Sequence, residues 1–260
     1  MNFMTYRMMC GNMDLSIILP VYNEGNRLAY CVERLESYLV KRYTLFEIII
    51  VEDNSTDESY EVTRRISGKY KNIVLIRNSH RLGRGASLAI AIKKSSGNNV
   101  VYMDVDLATD IKYIELLVHG LDNGASITTG SRLLKGSRVK RPLMRSIASR
   151  SYNSLVRVLF LSNVHDHQCG FKGFNKKDVI KVIDLVQDNH WFWDTELLII
   201  CQNAGLKIFE FPVSWEHNGG NNLSSSKVKL FKDSVFMGTK LLKLKYRLIV
   251  QKSMYIAPRS

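Results

Sequence analysis

The chain has 260 residues, 45% of them hydrophobic and 23% charged. That suits one large domain, or one domain with an appendage, and excludes disorder along the whole length. Lys and Arg number 37 against 24 Asp and Glu, a formal charge of +13, which calls for a polyanionic partner such as nucleic acid, anionic lipid or a phosphorylated substrate. The four cysteines (Cys10, Cys31, Cys169, Cys201) are far apart, without a CxxC pair. Their spacing argues against a zinc site and fits a reducing, cytoplasmic compartment.

Residues 1–13 lack a continuous apolar core and read as a tail rather than a signal peptide. Leu15–Val21 (LSIILPV) is a buried strand by its apolar, β-branched run. Asn26–Lys41 is helical, with Leu28, Val32, Leu35 and Leu39 on one face. Phe46–Val51 is a second strand, and Asp57–Lys69 a helix with Asn54 and Ser55 as capping candidates. Ile73–Arg77 is a third strand. Leu82–Ser95 opens glycine-rich and continues as a helix, Asn99–Met103 is a fourth strand, and Ile111–Gly120 is a helix.

This rhythm implies βαβ units and a mainly parallel sheet. Ligands of such sheets sit beyond the carboxyl ends of the strands. Tyr22–Glu24, Glu52–Asp53, Arg81–Gly85 and Asp104–Asp106 then share one rim. After residue 125 the order is less regular. Ser126–Thr129 reads as a strand, Arg138–Asn163 as mixed basic and apolar, Phe209–Trp215 as a late strand, Gly219–Ser226 as a flexible loop, and Ser234–Ile256 as one or two basic amphipathic helices.

The chemistry concentrates in VVYMDVDLATD, 100–110. Alternation along an extended chain puts Asp104 and Asp106 on the same side. Paired carboxylates repel unless a cation is shared, and oxygen ligands suit Mg²⁺ or Mn²⁺. Asp110 reads as a helix cap. Asp53, just past a buried strand, is placed to accept from a ligand's NH groups. Gly83 and Gly85 stand before a helix whose N-terminus suits phosphate, with Arg81 and Arg84 adding charge. The third glycine of a dinucleotide fingerprint is missing, and PVYNEG follows the first strand where an oxidoreductase would need GxGxxG.

LPVYNEGNRL, VEDNSTDES, RLGRGASL, MDVDLATD, TGSR, DHQCGFKGF and WFWDTELL occur in one order. With them the chain resembles the family 2 glycosyltransferases of the GT-A fold, and within these the dolichyl- and polyprenyl-phosphate sugar transferases, over about residues 14–230. The resemblance implies an α/β GT-A domain over 14–218, followed by a mobile loop and basic amphipathic helices over 219–260. It implies that Pro20, Tyr22, Glu24, Asp53, Gly85, Val105 and Lys227 hold the nucleotide sugar, with Asp104 and Asp106 holding the metal. It assigns Arg132, Arg145 and Ser226 to the acceptor phosphate, with Arg150 a further candidate, and makes Asp166 the catalytic base, with Arg132 facing phosphates. Gln168, Cys169 and Gly170 would floor the sugar site, and Trp193, Asp194 and Glu196 the acceptor side.

The expected reaction is inverting transfer of a hexose, glucose from UDP-glucose, to dolichyl or polyprenyl phosphate. GDP-mannose as donor, or a saccharide acceptor, is the alternative. Mannosyl-type relatives carry Gln where this chain has Ala108, while the Ala108–Thr109 pair resembles the glucosyl type. Glu52 stands where Asp is common and Arg84 where Lys is common. No window of 18 apolar residues lacks charges, so no transmembrane helix is expected. The basic amphipathic stretches suggest a peripheral protein on an anionic membrane surface at its cytoplasmic face. A nucleic-acid partner would explain the charge but not the carboxylate pair. An oligomer is compatible with the sequence.

Overall fold

The computed structural model of the protein describes residues 14–216 and 227–256, with side chains over 14–216 and 236–250. The expected tail 1–13, the loop Gly219–Ser226 and Ser226 itself lie outside the described residues, as does the side chain of Lys227.

The first half alternates strand and helix: β1 (Leu15–Val21), α1 (Gly25–Leu39), β2 (Phe46–Glu52), α2 (Ser59–Lys69), β3 (Ile73–Arg77), α3 (Arg84–Lys94), β4 (Asn99–Met103) and α4 (Ile114–Asp122). The second half holds β5 (Ile127–Ser131), β6 (Arg138–Lys140), α5 (Leu143–Phe160), β7 (Phe171–Asn175), α6 (Lys176–Val179), α7 (Trp193–Asn203), β8 (Ile208–Pro212), β9 (Ser214–Glu216) and α8 (Lys227–Ile256).

Seven strands form one sheet in the order β3-β2-β1-β4-β7-β5-β8, and β6 pairs with β9 in a second. All pairings in the large sheet are parallel except those of β7, which runs antiparallel between β4 and β5. The central strands lack polar alternation because helices cover both faces. Along β1, Leu15, Ile17 and Leu19 point into one core with Leu28 and Leu35 of α1 and Val62 of α2. Ile18 points into the other, with Leu88 of α3 and Leu197 of α7. A third cluster joins Val156 and Phe160 of α5, Ile199 of α7, and Leu241 and Leu244 of α8.

Three expectations are corrected. The helix expected from Asp57 starts at Ser59, because the Asp57 carboxylate accepts from the backbone N–H of Ser59 (3.0 Å) and of Gly25 (3.2 Å), tying the loop after β2 to α1. The strand expected over Phe209–Trp215 divides at Val213. Its N–H donates to Ser131 O and its carbonyl accepts from Arg138 N, so the chain leaves one sheet for the other. Phe171–Asn175 becomes β7, which periodicity missed: the strand is apolar only in part, yet even Lys172 is fully buried. Asp110 caps the turn before α4, as expected, accepting from Lys112 N at 3.1 Å. Among the described residues no helix is long and apolar enough to cross a membrane.

Candidate active site

The carboxyl ends of β1, β2 and β4 open on two adjoining cavities. One, of about 240 Å³, is lined by Pro20, Tyr22, Glu24, Asp53 and Arg81. The other, of about 120 Å³, is lined by Arg132, Gln168, Gly170, Asp194 and Trp215. Arg84, Asp104, Asp106 and Trp191 border both. The expected rim is therefore formed.

Its turns are locked by short polar side chains. Asn23 and Asn54 both adopt a left-handed backbone at φ 56°, which Asn tolerates. Asn23 Oδ1 accepts from Thr56 N (2.9 Å), Ser55 Oγ accepts from Asn23 N (3.1 Å), and Ser59 Oγ accepts from Glu24 N (2.9 Å). Asn23 and Ser55 thus join two loops, and neither Asn54 nor Ser55 caps α2, whose N-cap is Glu58.

The glycine-rich loop does not offer the expected phosphate cradle. Asp53 Oδ1 accepts from Leu82 N and Asn78 Nδ2, and Oδ2 from Gly83 N, each at 2.8 Å. Gly85 N and Ala86 N donate to Asn189 O at 2.9 and 3.2 Å. Buried backbone donors need partners, and here the protein supplies them. Asp53 anchors the loop while lining the first cavity. Gly85 is required by packing: a Cβ there would stand 2.4 Å from Trp193 Cβ.

Asp104 and Asp106 converge by a different route from strand alternation. β4 ends at Met103, and the chain turns through Leu107 at φ 53°, a conformation that Leu adopts rarely. Ala108 N donates to Asp106 Oδ1 at 2.9 Å. Arg84 bridges Asp104 Oδ1 and Asp194 Oδ2, both at 2.8 Å. Gly170 permits this: a Cβ on it would meet Asp104 Oδ2 at 2.0 Å. Burial pushes the Glu24 carboxyl above its ordinary range; Arg27 opposes the shift, while Asp106 and Asp104 add to it. Among the described residues no group of three or more His, Cys, Asp or Glu is arranged around a metal position. Two carboxylates in an acid-crowded cleft fit a hard dication that takes its remaining ligands from phosphate and water.

Across the second cavity Asp166, fully buried, is gripped by Arg132 through Nε (2.7 Å), a terminal nitrogen (2.9 Å) and the backbone N–H (3.0 Å). Gln168 N adds a bond at 3.2 Å. Glu210 fixes the preceding backbone by accepting from His165 N and Asp166 N. Burial alone would raise the Asp166 carboxyl, but Arg132 overrides it and holds the carboxyl down at about 2.

The acceptor-side residues separate. Asp194 lines the cavity, with Lys172 Nζ at 3.1 Å and the Tyr102 hydroxyl donating to it. Trp193 is buried in the core, and Glu196 accepts from Gln187 N and Asp188 N; neither lines either cavity. Arg145 lies outside both, and Arg150 lines a different groove. Two walls emerge that spacing did not single out, Trp191 and Trp215, and Arg141 lies close enough to Arg132 and Asp166 to feel their charges. Burial and the nearby Arg132 lower the Arg141 guanidinium pKa. An arginine immediately after β6 carries no sequence signal, because the charges it meets, Arg132 and Asp166, follow β5 and α5.

Residues 16–183 match the model described as Glycosyl transferase family 2. The chain belongs to this family. Among similar proteins, Glycosyltransferase AglD of Haloferax volcanii is 40% identical over 92% of the chain, which spans only 38% of that protein's length. Dolichyl-phosphate beta-glucosyltransferase of Homo sapiens is 31% identical over 90% of the chain and 78% of the relative. A solved structure of glucosyl-3-phosphoglycerate synthase from Mycobacterium tuberculosis, with Mn²⁺, UDP-glucose and phosphoglyceric acid, superposes with a TM-score of 0.69 at 19% identity, over 92% of this chain and 82% of that one. This likeness places the family 2 chain in the GT-A class of folds. The chain is a glycosyltransferase.

Proposed function

We propose that the protein transfers glucose from UDP-glucose to the phosphate of a dolichyl or polyprenyl lipid, with inversion at the anomeric carbon. The names of the dolichyl-phosphate relatives support this reading. The observation that carries it is the charge arrangement of the cleft: a carboxylate pair on one side and the Arg132–Asp166 fork on the other. The first suits a metal-bound diphosphate, the second a separate phosphate.

The uridine diphosphate end occupies the cavity of Pro20, Tyr22, Glu24 and Asp53, with Arg81 stacked over the Tyr22 ring at 3.9 Å from its centroid. Asp104 and Asp106 hold Mg²⁺ or Mn²⁺, which when bound stabilises charge on the departing diphosphate. Arg84 keeps Asp104 oriented and adds positive charge between the two cavities. The acceptor phosphate, with a second pKa near 6, is already largely ionised at pH 7. It requires positioning rather than deprotonation. Asp166, a weak base when held at about 2 with both oxygens engaged, orients Arg132 toward that phosphate; Arg141 adds charge nearby.

Ala108 and Thr109 line the second cavity, and their resemblance to the glucosyl-type motif, where mannosyl-type relatives carry Gln, supports glucose over the mannose alternative. The exposed Leu143, Met144 and Ile147 of α5 and Phe236, Leu242 and Tyr246 of α8, set among basic residues, support peripheral membrane contact at the face where the lipid lies.

The test is a sugar-nucleotide screen with Mg²⁺ or Mn²⁺ and a short polyprenyl phosphate, following label into organic solvent. UDP-glucose is expected to label the lipid. Labelling from GDP-mannose alone removes the glucose assignment, and transfer only to a saccharide removes the acceptor. Asp106→Ala is expected to lower transfer by about a hundredfold or more with an unchanged thermal midpoint. Near-normal activity with excess metal would overturn the role of the carboxylate pair.

A further inference from the structure

On the far side of the Arg132 loop a groove of about 580 Å³ runs between the β5–β6 connection and α5, with Lys135, Arg150, Asn153, Arg157 and His165 among its walls. It shares Ser154 and Arg157 with a second hollow of about 650 Å³ that Val158 and Leu161 line. Arg150 and Arg157 are seven residues apart on one helix, two turns on the same face, and Lys135 faces them from the loop. No Asp or Glu lines either hollow. Several buried or half-buried cations elsewhere, Arg84, Arg132, Lys172, Lys240 and Arg247, have carboxylate partners. Among the described residues Lys135, Arg150 and Arg157 have none. Glu210, which holds the groove residue His165, is committed to it and to the backbone of Asp166.

The apolar end is as unusual as the basic one. Val158 is 73% exposed and Leu161 83% exposed. Leu161 closes α5 in the left-handed conformation at φ 52°, a strained backbone for a leucine. A cationic pocket that grades within about two helical turns into exposed aliphatic surface complements an amphiphile with an anionic head.

We propose that this groove binds an anionic phospholipid, its headgroup phosphate among Lys135, Arg150 and Arg157 and its acyl chain along Val158 and Leu161. The site is separate from the reaction cleft and depends on neither the sugar nor the acceptor assigned above. A bound lipid would relieve the mutual repulsion of three cations and fix α5 at a definite height on the bilayer.

The experiment measures partition of the full chain onto phosphatidylcholine vesicles with and without phosphatidic acid, together with titration by soluble dihexanoyl phosphatidic acid and by inorganic phosphate. The wild type is expected to prefer acidic vesicles and to bind the soluble lipid more tightly than inorganic phosphate. Lys135→Gln with Arg157→Gln is expected to weaken binding to acidic vesicles about tenfold or more. Transfer to a water-soluble polyprenyl phosphate and the thermal midpoint should stay unchanged, and Lys135→Arg with Arg157→Lys should retain binding. Unchanged vesicle binding in the Gln variant overturns the site. Equal affinity for inorganic phosphate makes it a free-anion site and overturns the lipid. Parallel loss of transfer overturns its separation from the cleft.

Discussion

His167 is fully buried, with Nε2 2.9 Å from Ser162 Oγ and Nδ1 2.9 Å from Asn153 Oδ1. Burial, then the charge of Lys172, lower its pKa to about 3. A histidine depressed in the folded state favours the neutral native form, while the unfolded chain takes up a proton near pH 6.5. Its contribution is therefore complete above about pH 6.5 and is lost as the pH falls toward 3. Denaturant unfolding is expected to show a stability loss of about 2 kcal/mol from this residue by pH 5. His167→Gln should flatten that slope, and an unchanged slope would exclude His167 as its source. At this scale much was legible. Asp104 and Asp106 were selected by residue type and position, Arg132 and Asp166 by the family resemblance, and all four border or serve the cleft. The packing of Gly85 and Glu196 was not legible, because what they touch, Trp193 and the 187–188 backbone, is brought to them by the fold.

Helix α8 is tied to the cleft through α7 and the segment before it. Arg247 forms an ion pair with Glu196, whose side chain is 4% exposed, and Lys240 Nζ lies 2.9 Å from Asp188 Oδ2. Glu196 carries the N–H groups of Gln187 and Asp188, and the next residue, Asn189, accepts from Gly85 N. The seat of α8 thus backs the segment that carries Trp191. Removing Arg247 strands a buried carboxylate, so Arg247→Gln is expected to cost about 3 kcal/mol in chemical denaturation. Glu196→Gln with Arg247→Gln should recover much of that loss. An additive double variant would show that the pair does not act as a unit. The parallel β1–β4 half was readable because each strand is a short apolar run between helices of clear period. β7 and the β8–β9 switch were not, because an antiparallel strand inserted between parallel ones carries no local mark.

Over the whole molecule the charge is divided. Asp104, Asp106 and Asp194 line the cleft, while α5, α8 and the loop after β5 carry exposed basic and apolar side chains. With a formal charge of +13, attraction to an acidic surface is screened within about 10 Å at 0.1 M salt. Binding to acidic vesicles is therefore expected to weaken several-fold between 0.05 and roughly 0.3 M salt. Salt-independent binding would assign adhesion to the apolar residues alone.

The sequence by itself determined the α/β class, the rim where the strands end and the identity of the acidic pair, since these depend on local period and side-chain type. Tertiary structure decided which charges meet. Arg84 reaches Asp104 across 20 residues and Asp194 across 110, and Arg132 reaches Asp166 across 34. Coulomb interaction depends on separation in space and on burial, and both are set by the order of strands in the sheet rather than by their order in the chain.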